Sequence, residues 1–276
     1  MIQPRLHVLT SAQHQQFERE GFLLMQQFFT PEDVATIRET FMAAWANGPV
    51  EAMCDTHRKY DPKEPLARWP RVMHPHRHPE SPVGPLAMRY MLDARVGDVL
   101  RDLFGEEAVA AQSMFYFKPP GARGQDLHQD NFYLRVKPGT CMAAWTAIDD
   151  ADRENGGLVV VPGSHRCAIA CPEQSDSQKF FTTEHVPVPQ GMQETPVDLK
   201  AGDVLFFNGS LIHGSYPNES KTRFRRAFIC HYVPRSSEET SHWYRPLLTF
   251  DKQEVVINDA TGGGPCGTVQ EIKAPH

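Results

Sequence analysis

The sequence predicts a mainly β fold with flanking helices, an all-β sandwich or barrel. Three observations support this. From 108 to 235, short apolar runs recur between Gly, Pro and Asp turns. Helical patterns with capping signals precede that region. The chain has 276 residues and 40% hydrophobic content, enough for one large core rather than two. The expected organisation is a single domain over 1–276, with residues 48–90 as an active-site rim or lid and 235–276 as a C-terminal extension.

Residues 11–20 read as a short polar helix and Phe22 to Phe29 as a strand. Thr30-Pro31-Glu32-Asp33 is a helix start: a hydroxyl N-cap, a proline in the first turn, and acids where the helix dipole favours them. That helix runs to about Trp45 and shows Val34, Ile37 and Phe41 on one stripe. Residues 48–85 are rich in proline, histidine and charge and have no period, so they read as a functional loop. Within it, His74, His76 and His78 alternate with Pro75, Arg77 and Pro79, which points to a solvated loop rather than a second metal site. Arg68, Arg71, Arg77 and Arg89 are candidates to surround a small anion. Residues 92–105 form a helix that Gly105 stops. The expected strands are Val109 to Phe117, Cys141 to Ile148, Leu158 to Val161, Val204 to Phe207 and Arg226 to Val233.

Composition removes several functions. Net charge is -6 and the pI about 6.1, with no basic stripe, so nucleic acid is not an expected partner. No apolar run reaches membrane-spanning length, and the first residues lack a signal-peptide pattern, so a cytoplasmic protein without membrane contact is expected. The six cysteines are irregularly spaced and read as free thiols. Gly262-Gly263-Gly264 lacks the Lys-Ser/Thr of a phosphate loop. Oligomeric state is not readable.

The chemistry-bearing pattern is His128, Asp130 and His213. Residues i and i+2 of a strand face one way, so His128 and Asp130 can offer an imidazole and a carboxylate to one metal. His213 follows the apolar run Val204 to Ile212 and completes the set. Two histidines and a carboxylate on one face of Fe(II) leave positions open for oxygen and an organic cosubstrate.

Four segments resemble the phytanoyl-CoA dioxygenase family of Fe(II)/2-oxoglutarate-dependent oxygenases: Gln112 to Gly121; Leu127-His128-Gln129-Asp130; Ala144-Trp145-Thr146-Ala147-Ile148-Asp149-Asp150 running into Glu154-Asn155-Gly156-Gly157 and on to His165; and His213-Gly214-Ser215 with Pro217-Asn218-Glu219-Ser220 and Arg225-Arg226-Ala227. The resemblance implies a double-stranded β-helix, the cupin-like jelly roll. It implies Fe(II), 2-oxoglutarate and O2 as the reacting set, with a small-molecule substrate hydroxylated as succinate and CO2 leave. It implies Arg225 as the anchor of the far cosubstrate carboxylate, with Arg226 and then Arg223 as alternatives, and Ser215 as hydroxyl donor to the same group. Gln112 and Tyr116 are expected to contact the cosubstrate, and Trp145 to line its pocket or pack as an ordinary core residue. Lys118 is expected to cap its strand, Gln129 to face away from the metal, and Asn131 and Tyr133 to look toward substrate. Related halogenases lack the acid that Asp130 retains, which favours oxidation. A catalytically silent binding protein and a zinc hydrolase are the competing readings.

Overall fold

In the computed structural model, residues 7–55 and 60–261 are described. The first helix, Ser11–Glu20, is closed by a capping box between Thr10 and Gln13 and stopped by Gly21 in the left-handed region. The second, Pro31–Ala44, begins with a capping box between Thr30 and Asp33 and buries Val34, Ile37 and Phe41. Between them the strand is shorter than expected, Phe22–Met25.

The large sheet is antiparallel. Its order is Phe22–Met25, Val204–Asn208, Met142–Ala147, Ala227–Pro234, Ala108–Tyr116, Leu247–Leu248 and Glu254–Val255, with Val72–Met73 also pairing to Ala108–Tyr116. A smaller antiparallel sheet runs Gln125–His128, His213–Ser215, Leu158–Val160 and Thr195–Val197. The two sheets face each other in the jelly roll that the resemblance implies.

Alternation along the strands divides the core in two. Phe115, Phe206, Phe228 and Tyr232 point outward and pack with Ile37 and Phe41 of the second helix and with Trp45 at its end. Phe41 and Phe115 stack with ring centroids 4.0 Å apart. Met114, Tyr116, Trp145, Leu205, Phe207 and Ile229 point inward, against Leu158 and Val160 of the small sheet. The candidate site residues line the space between this second face and the small sheet.

Three expectations need correction. Residues 48–85 are not one loop: Pro65–Arg68 is a helical turn, Val72–Met73 is a strand, and a helix, Val83–Met91, starts inside the stretch. Pairing of Val72 and Met73 onto Phe115 and Met114 carries His74 and His76 inside, so both are buried and not solvated. The C-terminal extension packs onto the domain as far as it is described, where Tyr244, Leu247, Val255 and Ile257 join a buried cluster with Val109 and Val233. Cys54, Cys141, Cys167 and Cys230 are free thiols, but Cys171 is disulfide-bonded. Cys266, the triple glycine and the first six residues lie outside the described residues. Among the described residues no helix is long and apolar enough to cross a membrane.

Candidate metal and cosubstrate site

His128 ends its strand and His213 begins one, and the two are direct cross-strand partners. Their ring centroids are 4.2 Å apart. The His128 Nδ1 proton goes to the carbonyl of Asp126 at 2.7 Å, and that of His213 to the carbonyl of Leu211 at 2.9 Å. A carbonyl only accepts, so each ring carries its proton on Nδ1 and presents the Nε2 lone pair inward. Each Nε2 lies 3.6 Å from Oδ1 of Asp130. All three side chains are buried.

Asp130 arrives by a route different from the expected one. The strand ends at His128, and Asp130 has helical backbone angles, φ -59 and ψ -37, at the head of the short helix Asn131–Leu134. Convergence therefore comes from a strand-to-helix turn and not from strand alternation. Burial pushes the Asp130 carboxyl pKa up, but the His213 and His231 rings outweigh this and hold it well below the usual carboxylate range. Burial, with His128 beside it, drives the His213 pKa down to about 4, so the ring is neutral at physiological pH. An ionised carboxylate and neutral imidazoles are the forms a divalent transition metal requires.

His231 had not been singled out from the sequence. Its Nε2 donates to Asp130 Oδ2 at 3.0 Å, and its Nδ1 meets Gln112 Oε1 at 3.1 Å. Such a contact orients a metal-binding carboxylate from behind. Gln112 therefore braces His231 and is not among the pocket-lining residues. The available signal was parity: Ala227, Ile229 and His231 share the inward face of their strand.

One narrow pocket contains His128, Asp130 and His213 together with Ser215, Arg225, Tyr116 and Trp145. Arg225 is buried, its guanidinium 5.3 Å from the centre of the Trp145 ring. Its Nε donates to the Gly156 carbonyl at 3.0 Å, while Nη1 is buried without a partner. Burial pushes its pKa down to about 10. Arg226 points the opposite way and holds Asp149 through two contacts of 2.7 and 2.8 Å. Arg223 pairs with Asp152 and Glu154. Of the three arginines, only Arg225 lines the pocket. Tyr116 lines the wall, and its hydroxyl accepts from Arg71 at 2.9 Å.

Ser215 lines the pocket as well. Its oxygen accepts from Lys118 Nζ at 2.8 Å and from the Gln125 backbone N–H at 3.3 Å. Lys118 is thus a buried side chain beside the pocket and not a strand-end cap. Gln129 faces away: it donates to the Ser210 carbonyl and accepts from Ala170 N–H. Asn131 does not look toward substrate, because its oxygen accepts from Val136 N–H within its own turn. The other arginines do not converge on an anion. Arg68 holds the Trp45 carbonyl, Arg71 pairs with Asp55, and Arg89 lies over Tyr90.

A second grouping, His7, His14 and Asp102, lies at the surface. Its carboxylate is already engaged by the backbone N–H groups of Val8 and Leu9, which dock the chain start onto the helix Ala94–Phe104.

A family model for phytanoyl-CoA dioxygenase matches residues 17–227. Phytanoyl-CoA dioxygenase 1 of Oryza sativa subsp. japonica is 30% identical over 158 residues, 57% of this chain and 56% of that protein. The peroxisomal phytanoyl-CoA dioxygenase of Mus musculus is 26% identical over 82% of this chain and 69% of its own length. The ectoine dioxygenase of Bordetella bronchiseptica is 28% identical over 77% and 71%. The chain spans about half the length of the rice, Caenorhabditis elegans and Arabidopsis thaliana relatives it matches. Among solved structures, the α-ketoglutarate-dependent carbocyclase SnoK superposes with a TM-score of 0.64 at 19% identity, covering 84% of this chain and 86% of that one. EctD from S. alaskensis, solved with 2-oxoglutarate and 5-hydroxyectoine, has a TM-score of 0.61 at 24% identity, covering 83% and 77%. Both share the jelly-roll fold.

Proposed function

Since this chain belongs to the phytanoyl-CoA dioxygenase family, we propose that it is an Fe(II)/2-oxoglutarate-dependent oxygenase that hydroxylates a C–H bond of a small molecule, with His128, Asp130 and His213 as the iron ligands. The observation that carries the reading is one pocket holding both a His–carboxylate–His donor set and, on Arg225, a buried guanidinium nitrogen with no partner. The donor set fits ferrous iron: two imidazole nitrogens and one ionised oxygen occupy one side and leave the other side open.

When bound, the iron supplies one-electron activation of dioxygen and a chelation point for the 2-oxo acid. This chain's residues do the rest. The backbone carbonyls of Asp126 and Leu211 hold the two rings in one tautomer. His231 fixes the angle of the Asp130 carboxylate. Arg225, which stays charged and offers a planar fork, holds the far carboxylate of 2-oxoglutarate, and the Ser215 hydroxyl donates to the same group. The buried Trp145 ring lies beside Arg225 and covers it. Oxygen, 2-oxoglutarate and substrate R–H yield R–OH, succinate and CO2.

Anaerobically prepared protein given Fe(II), 2-oxoglutarate and air should release succinate, and Zn(II) in place of iron should release none. Turnover of a hydrolysable ester with zinc, without succinate from the iron form, would favour the hydrolase instead.

A further inference from the structure

We infer that Lys118 is a positioning residue for the cosubstrate: its ammonium fixes the Ser215 hydroxyl as a hydrogen-bond donor to the far carboxylate, while its backbone carbonyl holds the segment that presents Arg225. This rests on the reading of Ser215 and Arg225 as the groups that grip that carboxylate.

A serine oxygen has two lone pairs and one hydrogen. Lys118 Nζ donates to Ser215 Oγ at 2.8 Å, and Gln125 N–H donates to it at 3.3 Å. Both acceptor positions are then filled, and the hydroxyl hydrogen has to be given away. Ser215 lines the pocket that contains Arg225, so the hydrogen is directed to a ligand oxygen there. Lys118 is itself held by the Tyr216 carbonyl, which accepts from Nζ at 2.7 Å. Two fixed acceptors from adjacent residues leave the ammonium little freedom.

The main chain of the same residue acts on the other anchor. The Lys118 carbonyl accepts from the Arg225 backbone N–H at 3.0 Å and from the Asn218 side chain at 2.9 Å. Asn218 also donates to the Arg223 carbonyl, which closes the loop before Arg225. Gly156 completes the arrangement. Its carbonyl takes Arg225 Nε, and a Cβ on it would clash with Cδ of Lys118. Its φ of 86 is a conformation suited to glycine.

The charge distribution agrees. Lys118 and Arg225 are both buried, and among the described residues neither pairs with a carboxylate. Burial, reinforced by Arg225, depresses the Lys118 pKa well below its usual value. Two buried cations without a counter-ion are costly, and an incoming carboxylate supplies that counter-ion.

The test uses calorimetric titration of the anaerobic Fe(II) protein with two ligands: 2-oxoglutarate and 2-oxopentanoate, which has no far carboxylate. Lys118→Met should weaken 2-oxoglutarate about tenfold, the worth of one charge-assisted hydrogen bond, and leave 2-oxopentanoate within about twofold. Ser215→Ala should do the same. The double variant should be no weaker than the weaker single, because the lysine acts through the serine. Equal loss for both ligands would make Lys118 a purely structural tie, and additive losses or unchanged 2-oxoglutarate binding would also overturn the inference. If Lys118→Met fails to fold, Lys118→Leu, which also lacks a donor, carries the same comparison. Should Ser215→Ala and Arg225→Ala both leave 2-oxoglutarate binding intact, the underlying reading of the anchor fails. If they weaken it and Lys118→Met does not, only the lysine inference fails.

Discussion

The two faces of the large sheet share the same strands and differ in almost everything else. Toward the helices, Phe115, Phe206, Phe228 and Tyr232 form an aromatic layer closed by Phe41 and Trp45. Toward the small sheet, Tyr116, Arg225, His231 and Gln112 bring polar groups into an equally buried space. Neighbouring residues, such as Phe228 and Ile229 within one strand or Arg225 and Arg226 just ahead of it, serve opposite sides. The apolar face holds the sheet rigid, and that rigidity lets the other face bury an aspartate, an arginine and a lysine in fixed positions. Stability and chemistry are thus separated by residue parity and not by distance along the chain.

Substitutions can break that separation if it is wrong. The largest effect is expected on the apolar face. Phe41→Ala leaves a cavity against Phe115 and should cost about 3–5 kcal/mol of stability in denaturant titration, while the folded fraction binds metal as before. Asp130→Ala should do the reverse: it should weaken Fe(II) binding more than about 100-fold, beyond the loss typical of residues behind the ligands, with a near-native circular dichroism spectrum. A parallel collapse of both properties in either variant would mean the faces are coupled.

Arg225 and Arg226 sharpen the comparison to neighbouring residues. Arg225→Ala should weaken 2-oxoglutarate binding about 10- to 100-fold, as expected for lost charge-assisted bonds. Arg226→Ala, which only frees Asp149 at the sheet's outer side, should leave cosubstrate affinity unchanged. Reversed outcomes would place the wrong side chain in the pocket. The smallest effect concerns acid. Burial drives the His76 pKa down to about 3, well below the roughly 6.5 of an unfolded histidine. The unfolded chain therefore takes up a proton first. Stability is full above pH 6.5 and falls as pH drops toward 3, by about 2 kcal/mol between pH 6.5 and 5. Thermal unfolding of metal-free protein should show this slope, and His76→Gln should flatten it.

Much of this was legible in the chain. Capping at Thr30 and Gly105, the recurring strands and the metal trio all follow from local rules of spacing and side-chain chemistry. Parity also separates Arg225 from Arg226, once Ala227 and Ile229 are known to face inward. What escaped reading depends on contacts between distant segments. His74 and His76 look solvated among prolines, and only the pairing of Val72 with Phe115 takes them inside. Lys118 precedes two prolines and resembles a turn residue, yet the Gly156 backbone leaves room for its stem to run inward. Period-two spacing suits a strand at Asp130, whereas the chain turns into a helix at that residue. Local pattern picked out the three side chains that the structure gathers, and tertiary pairing determined how they meet.

The most direct test is anaerobic titration of Fe(II) protein with 2-oxoglutarate, followed in the visible spectrum. A single ferrous centre on His128, Asp130 and His213, with the cosubstrate chelated to it, should give a charge-transfer band in the native protein and none in Asp130→Ala. No band in the native protein, or an undiminished band in Asp130→Ala, would contradict it.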